Sequence, residues 1–267
     1  MTWQLPPEVS EAFIAQAGFD PAGRIIHACY VGSTSHNTYV PSTDPDSIDD
    51  IDIMAIVVPP IEKVAGLRPW KETEQIQIGP WDVNVHSVAK YTRLLLNGNP
   101  NMLCTLWVRP EDRLLVDENF ASLYLENRRI FSTKKVYRAF YGYANEQLRK
   151  MTSANPYQGY MGAKRKKLVE RFGFDTKNAA HLLRLLTMSK EFSATGVMKV
   201  FRDEDGQTFR DVKSGLWTRD EVQYEAAQLY SEIKIADAAS TLPMDADAAK
   251  AEELLLRVYA RYWGLSA

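Results

Sequence analysis

Short apolar runs interrupted by charged positions occupy the first third of the chain, and they predict β-strands. Between Asp50 and Val58 the sequence is apolar apart from its acids, as expected of a buried strand. Between Trp81 and Ser87 polar and apolar residues alternate, which predicts a half-buried strand. The four predicted strands run from Arg24 to Val31, Asp50 to Val58, Glu74 to Ile78 and Trp81 to Ser87.

Helical patterns dominate the rest of the chain, with recognisable start and stop signals. Ser87 is a predicted N-cap for a helix that closes at Asn97-Gly98, and Asp175 stands at a second helix start. The predicted helices are Glu8 to Ala17, Val88 to Leu96, Met102 to Val108, Lys134 to Met151, Lys164 to Phe172, Thr176 to Thr195, Arg219 to Ala238 and Ala246 to Tyr262. This order predicts an α+β protein with an α/β core over residues 1–127 and a helical domain over residues 128–267.

Composition fits a globular protein: 267 residues, 45% hydrophobic, 25% charged, with Cys29 and Cys104 as the two cysteines. No apolar run approaches the ~18 residues of a membrane span. The N-terminus is acidic and unlike a signal peptide. Two cysteines are too few for a disulfide framework. These features predict a cytoplasmic protein without a membrane partner.

The net charge of -2 conceals an uneven distribution of charges. Residues 1–60 contain eight acids and one base, whereas residues 128–171 contain twelve Lys or Arg and two Glu. An acidic first half and a basic second half suggest a metal site and a polyanionic partner. The alternative for the basic stretch is a solvated helical face.

The turn Gly32-Ser33 and the acids Asp50 and Asp52 are the strongest candidates for chemistry. On a strand, Asp50 and Asp52 point to the same face, where two carboxylates repel each other unless a cation lies between them. Gly32 allows a phosphate to approach the backbone, and Ser33 supplies a hydroxyl and an N–H group. Asp82 is the candidate third carboxylate, with a solvated strand edge as its alternative.

Two basic groups complete the candidate residues. Lys177, His181 and Arg184 are spaced four and three apart and therefore share a helix face, which is either a plain exposed stripe or a phosphate contact. A basic run beside Tyr157 and Tyr160 is a candidate nucleic-acid contact, with an exposed loop as the alternative. This run consists of Lys164, Arg165, Lys166 and Lys167.

In their order, these motifs resemble a known family. Gly32-Ser33 followed by Asp50-Ile51-Asp52 is similar to the signature of DNA polymerase β-like nucleotidyltransferases. Three further segments resemble the predicted nucleotidyltransferases linked to RNA repair. They are the segments from Asp82 to Ser87, from Leu94 to Asn101 and from Lys177 to Leu186.

The resemblance implies a polymerase β-like core with a mixed sheet, a nucleoside triphosphate donor and dependence on Mg2+ or Mn2+. It implies that Gly32 and Ser33 contact the triphosphate, that Asp50 and Asp52 bind the metals, and that the Lys177 face meets phosphates. The loop between Ser33 and Asp50 is longer than usual for the family, which leaves Asp49 as an alternative ligand. Strand alternation favours Asp50, because Asp49 would face away from Asp52.

The leading hypothesis is an enzyme that transfers a nucleoside monophosphate to an RNA 3′ end, in RNA repair or tailing, and releases pyrophosphate. A second hypothesis keeps this chemistry and changes the acceptor to a protein side chain or a small molecule. A third is a nucleotide- or RNA-binding module without turnover. The sequence leaves the base of the nucleotide and the oligomeric state open.

Overall fold

The computed structural model describes residues 24–41, 49–68, 70–78, 81–152 and 163–265. The predicted helix from Glu8 to Ala17, and Tyr157 and Tyr160, lie outside these residues. The chain divides into two compact units. The sheet unit comprises residues 1–35, 50–132 and 245–267, and the helical unit comprises residues 36–49 and 133–244. The domain boundary expected after residue 127 stays a prediction.

Five strands form one mixed sheet in the sheet unit. They are β1 (Arg24–Tyr30), β2 (Ile51–Val58), β3 (Thr73–Ile78), β4 (Trp81–Ser87) and β5 (Arg113–Val116). The strand order is β3-β4-β2-β1-β5. The pair β2–β4 is parallel, and the other three pairs are antiparallel. The mixed sheet is therefore confirmed, as are the four predicted strands, while β5 was not predicted.

Eleven α-helices lie in the described residues, together with short 3-10 and π segments between Pro110 and Phe131. They are α1 (Gly32–Ser35), α2 (Ile61–Ala65), α3 (Val88–Leu96), α4 (Pro100–Thr105), α5 (Glu118–Phe120), α6 (Lys134–Thr152), α7 (Ala163–Phe172), α8 (Thr176–Thr195), α9 (Gly206–Lys213), α10 (Arg219–Ala239) and α11 (Ala248–Trp263). None of these helices has the length and apolarity needed to span a bilayer.

Strand alternation places an apolar cluster on one face of the sheet and the acids on the other face, where Met54 and Ile56 of β2 are also buried. Residues of β2 and β4 such as Ile53, Ala55, Val83 and Val85 are buried together in one cluster. Their neighbours along the strands point to the opposite face, among them Asp52 and Asp82. The core on one face of the sheet therefore packs against both of the strands that carry Asp52 and Asp82 on the other face.

Helices α3 and α11 pack against each other and against β2. Ser87 caps α3 as predicted, because its hydroxyl accepts a hydrogen bond from the Lys90 N–H at 3.0 Å. Helix α11 is fixed to the end of β2, where the indole of Trp263 donates to the Pro59 carbonyl at 2.9 Å. The last helix therefore belongs to the sheet unit.

Helix α8 is the centre of the helical unit and packs against α6, α9 and α10. Its apolar side faces the core of the unit, since Leu182, Leu183, Leu185 and Leu186 are all buried. Asp175 caps its start by accepting a hydrogen bond from the Asn178 N–H at 3.0 Å. Helix α9 was not predicted, although Phe209 and Val212 give it an apolar side of two residues.

Candidate active site

The turn at Gly32 faces the carboxylate of Asp52. The Val31 N–H donates to the Asp52 carbonyl at 2.9 Å, which extends the β1–β2 ladder to the start of the turn. Gly32 has a φ of 62°, in the left-handed region. A Cβ atom at this position would lie 2.2 Å from Asp52 Oδ2. Glycine is therefore required here both by the backbone angle and by the carboxylate in front of it.

Asp52 and Asp82 lie side by side in the sheet. They are register partners in the parallel pair of β2 and β4, so their side chains leave the same face of adjacent strands. The Gln75 amide donates to both Asp82 oxygens, at 3.0 and 2.8 Å. Gln75 lies on β3 and orients this carboxylate, and this contact was not predicted from the sequence.

Asp50 and Asp49 have different surroundings. Strand β2 begins at Ile51, so Asp50 lies one residue before the ladder and is exposed. The predicted pairing of Asp50 with Asp52 stays a prediction. Asp49 is buried in the helical unit, where its carboxylate contacts Lys213 and Lys177. These contacts argue against Asp49 as the alternative metal ligand.

The donor chemistry of the two neighbouring aspartates fits Mg2+. Among the described residues, no group of three or more His, Cys, Asp and Glu forms a ready-made metal site. Mg2+ in nucleotide sites commonly uses one or two carboxylates and takes its other ligands from water and substrate phosphates. Asp52 and Asp82 offer such a pair of oxygen donors, and the backbone of Gly32 lies directly against the Asp52 carboxylate.

His86 lies on the same face of β4 and has a structural role. Its Nδ1 is 2.9 Å from the Thr73 hydroxyl. Burial lowers the pKa of His86, and the nearby Lys90 lowers it further. The hydrogen bond and the lowered pKa are typical of a histidine that is part of the fold.

In the helical unit, Lys177, His181 and Arg184 are half-buried on one face of α8. Burial lowers the pKa of His181 well below its usual value, and the positive charges of Arg184, Lys177 and Lys213 add to this effect. The three predicted nucleotide-binding residues are thus close to one another. Their contact with a nucleotide stays a prediction.

The basic run on α7 divides into two kinds of residue. The Arg165 guanidinium donates to Asp175 at 2.9 Å and to Asn178 at 2.7 Å, so it anchors the start of α8. Lys166 and Lys167 are exposed. Lys164 lies in α7, and its side chain is outside the described part of the structure. Lys166 and Lys167 are therefore the described residues of this run that present charge to solvent.

Comparison with known proteins decides the family. The model of RlaP, the RNA repair pathway DNA polymerase beta family, matches residues 9–205. The chain belongs to this family. The resemblance read from the sequence motifs is confirmed, and membership of the RlaP family supports the expected enzyme class, a nucleotidyltransferase of the DNA polymerase β type.

Two solved structures are similar to this RlaP family member at a distance. A nucleotidyltransferase-like protein from Exiguobacterium sibiricum 255-15 has 11% identity and a TM-score of 0.29, with 95% of this chain and 79% of that chain covered. The CD-NTase CdnG of Bradyrhizobium diazoefficiens, in complex with GTP, has 11% identity and a TM-score of 0.22, with 96% and 95% covered. Both likenesses are too distant to say more about this chain. No curated protein matches it.

Proposed function

We propose that the protein is a Mg2+-dependent nucleotidyltransferase that transfers a nucleoside monophosphate from a nucleoside triphosphate to an RNA 3′ end. The observation that carries this proposal is the arrangement of Gly32, Asp52 and Asp82. Two carboxylates lie in register on adjacent strands, and a glycine that tolerates no side chain faces one of them. Membership of the RlaP family supports the same chemistry.

In the proposed reaction, the acceptor hydroxyl oxygen bonds to the α-phosphorus, the bond to the bridging oxygen breaks, and pyrophosphate leaves. Asp50, Asp52 and Asp82 would hold Mg2+ (or Mn2+), which when bound neutralises charge on the phosphate oxygens. Asp82 accepts the proton of the attacking hydroxyl, and the Gln75 amide keeps its carboxylate oriented. Gly32 admits the triphosphate close to the backbone, and Ser33 donates its hydroxyl to a phosphate oxygen.

The nucleotide contacts of the helical unit are part of the proposal. Lys177 and Arg184 carry positive charge on the same face of α8 as His181, and phosphate oxygens are their natural partners. His181 is held neutral by burial and by these cations, so it contributes a hydrogen bond and no charge.

RNA is the proposed acceptor because the RlaP family is named for an RNA repair pathway and because basic residues are concentrated in positions 128–171. The predicted nucleic-acid contact consists of Lys164, Arg165, Lys166 and Lys167, and of these Lys166 and Lys167 are exposed in the described part of the structure. A contact of this kind weakens steeply with added salt. We also propose a cytoplasmic location, in keeping with a chain whose two cysteines, Cys29 and Cys104, are too few for a disulfide framework.

Pyrophosphate release tests the proposal. The protein is incubated with Mg2+ or Mn2+, each nucleoside triphosphate in turn, and bulk cellular RNA or a protein extract. We expect release that requires RNA, and we expect Asp52→Asn or Asp50→Asn to abolish it while the folded state is kept. The matched control is Asp112→Asn, which removes a buried carboxylate and its ion pair with Arg109 from the same unit but should leave the rate unchanged.

Each other outcome contradicts a defined part of the proposal. Release with the protein extract alone would move the acceptor to a polypeptide. Full activity of Asp52→Asn would refute the assignment of the metal-binding carboxylate. Binding of a nucleotide without release under any condition would favour a binding module without turnover.

A further inference from the structure

Asp49 is a buried carboxylate with several partners in the helical unit. Its side chain is 1% exposed. One oxygen accepts hydrogen bonds from the Val40 N–H at 2.9 Å and from Lys213 Nζ at 2.7 Å. The other oxygen lies 3.5 Å from Lys177 Nζ. A single carboxylate thus joins the segment before it to helix α9 and to helix α8.

Lys213 is the fixed partner of this carboxylate. Its side chain is 9% exposed, and its ammonium group also donates to the Thr38 carbonyl at 2.6 Å. A lysine held this way has little freedom and little access to solvent. Lys177 is different, because 35% of its side chain is exposed. Of the two lysines on Asp49, Lys177 is therefore the one that can also reach a ligand.

The surroundings hold more positive than negative charge. The positive charges of Lys177, Lys213 and Arg184 all lower the pKa of His181. The opposing negative charge is the Asp49 carboxylate, which contacts both Lys177 and Lys213. Lys177 also lowers the pKa of Lys213, after burial and against the opposing effect of Asp49, so the two ammonium groups are close enough to repel each other. Without Asp49, Lys177 would be pushed away from Lys213 into solvent.

We propose that Asp49 is a positioning residue, which uses Lys213 as a fixed partner to hold the Lys177 ammonium where it contacts the triphosphate. The inference rests on the proposed function, because it assumes that Lys177 meets the nucleotide. It gives Asp49 a role distinct from that of Asp50, the next residue, which is a proposed metal ligand. The buried Asp49 carboxylate restricts the rotamers of the Lys177 side chain before the substrate arrives, so that less of its freedom is lost on binding.

A double-mutant cycle tests the inference. The dissociation constants of ATP, GTP, CTP and UTP with Mg2+ are measured for the full chain, and the tightest nucleotide is used for Asp49→Asn, Lys177→Ala and the double variant. Asparagine keeps an acceptor for the Val40 N–H and removes the charge. We expect Asp49→Asn to weaken binding about tenfold in the wild-type background and less than twofold when Lys177 is alanine.

The matched control is Glu191→Gln, which changes another carboxylate of helix α8, removes its charge from the buried Arg202, and should leave nucleotide binding unchanged. If Asp49→Asn does not fold, the variant Asp49→Asn/Lys213→Met replaces both members of the buried pair with neutral groups, which costs less than the loss of one partner. We expect it to fold and to bind the nucleotide as weakly as Lys177→Ala does.

The outcomes separate the inference from the proposed function. Weak binding by Lys177→Ala with unchanged binding by Asp49→Asn would overturn the inference alone. Equal losses from Asp49→Asn in both backgrounds would show a structural effect and would also overturn it. Unchanged binding by Lys177→Ala would overturn the nucleotide contact of Lys177 and, with it, the inference, while pyrophosphate release by the wild-type protein would still stand.

Discussion

Replacing Gly32 with alanine should remove most of the activity for a reason that can be separated from stability. The added Cβ atom would lie 2.2 Å from Asp52 Oδ2 and 3.0 Å from its Cγ, whereas ordinary contact begins at 3.4 Å. The carboxylate or the turn must therefore move by about 1 Å, the difference between these distances. A displacement of this size in a reacting group costs on the order of a hundredfold in rate.

Gly32→Ala should lower the free energy of unfolding only modestly, and Gly264→Ala provides the comparison. An L-residue in the left-handed region costs roughly 1–2 kcal/mol, and Gly32 has a φ of 62°. Gly264, in the same unit, has a φ of 66°, and a Cβ atom there would meet nothing within 4 Å. Gly264→Ala therefore carries the backbone cost without the contact. We expect similar shifts in urea unfolding for both variants and a loss of pyrophosphate release for Gly32→Ala alone.

The reasoning would be refuted if Gly32→Ala and Gly264→Ala both released pyrophosphate at the rate of the wild-type protein. That result would mean either that the Asp52 carboxylate takes no part in the reaction or that its position beside the turn is unimportant. Equal inactivity of Gly264→Ala would instead attribute the loss to the backbone cost.

Two further predictions concern stability. Burial lowers the pKa of His27 from 6.5 to about 4. The unfolded chain takes up this proton at higher pH than the folded chain, so the free energy of unfolding falls as the pH drops from 6.5 to 4. His27→Gln should reduce that slope by one proton, about 1.4 kcal/mol per pH unit in urea unfolding; an unchanged slope would contradict the assignment. Arg202→Met removes a guanidinium that is 2% exposed from two carboxylates and should lower the free energy of unfolding by about 3 kcal/mol. The exposed control Arg257→Met should lower it by about 0.5 kcal/mol or less. Equal losses in the two variants would contradict the argument from burial.

Features with a local pattern could be predicted from the sequence. The alternation in β4 and the apolar run of β2 locate the strands that bring Asp52 and Asp82 together. Ser87 and Asp175 cap helices where they were expected, since capping depends on residues within three positions.

The features that escaped prediction depend on distant contacts or on weak patterns. Strand β5 has four residues and reads as Arg-Leu-Leu-Val, without the alternation that marks a half-buried strand. Lys213, one of the partners of Asp49, is 164 positions away, on a helix with two apolar residues in its buried side. Arg165 counts as one more base in a basic run, and only the folded chain shows that it anchors Asp175.

The place of α11 in the sheet unit has a consequence for how the chain folds during synthesis. The helical unit has all its residues once position 244 has been made, whereas the sheet unit still lacks residues 248–263. Until those residues leave the ribosome, the face of β2 and α3 that α11 covers stays open to water. The sheet unit, although its first strand is made early, is therefore completed last. A nascent chain that stalls before Ala248 exposes apolar surface that favours aggregation.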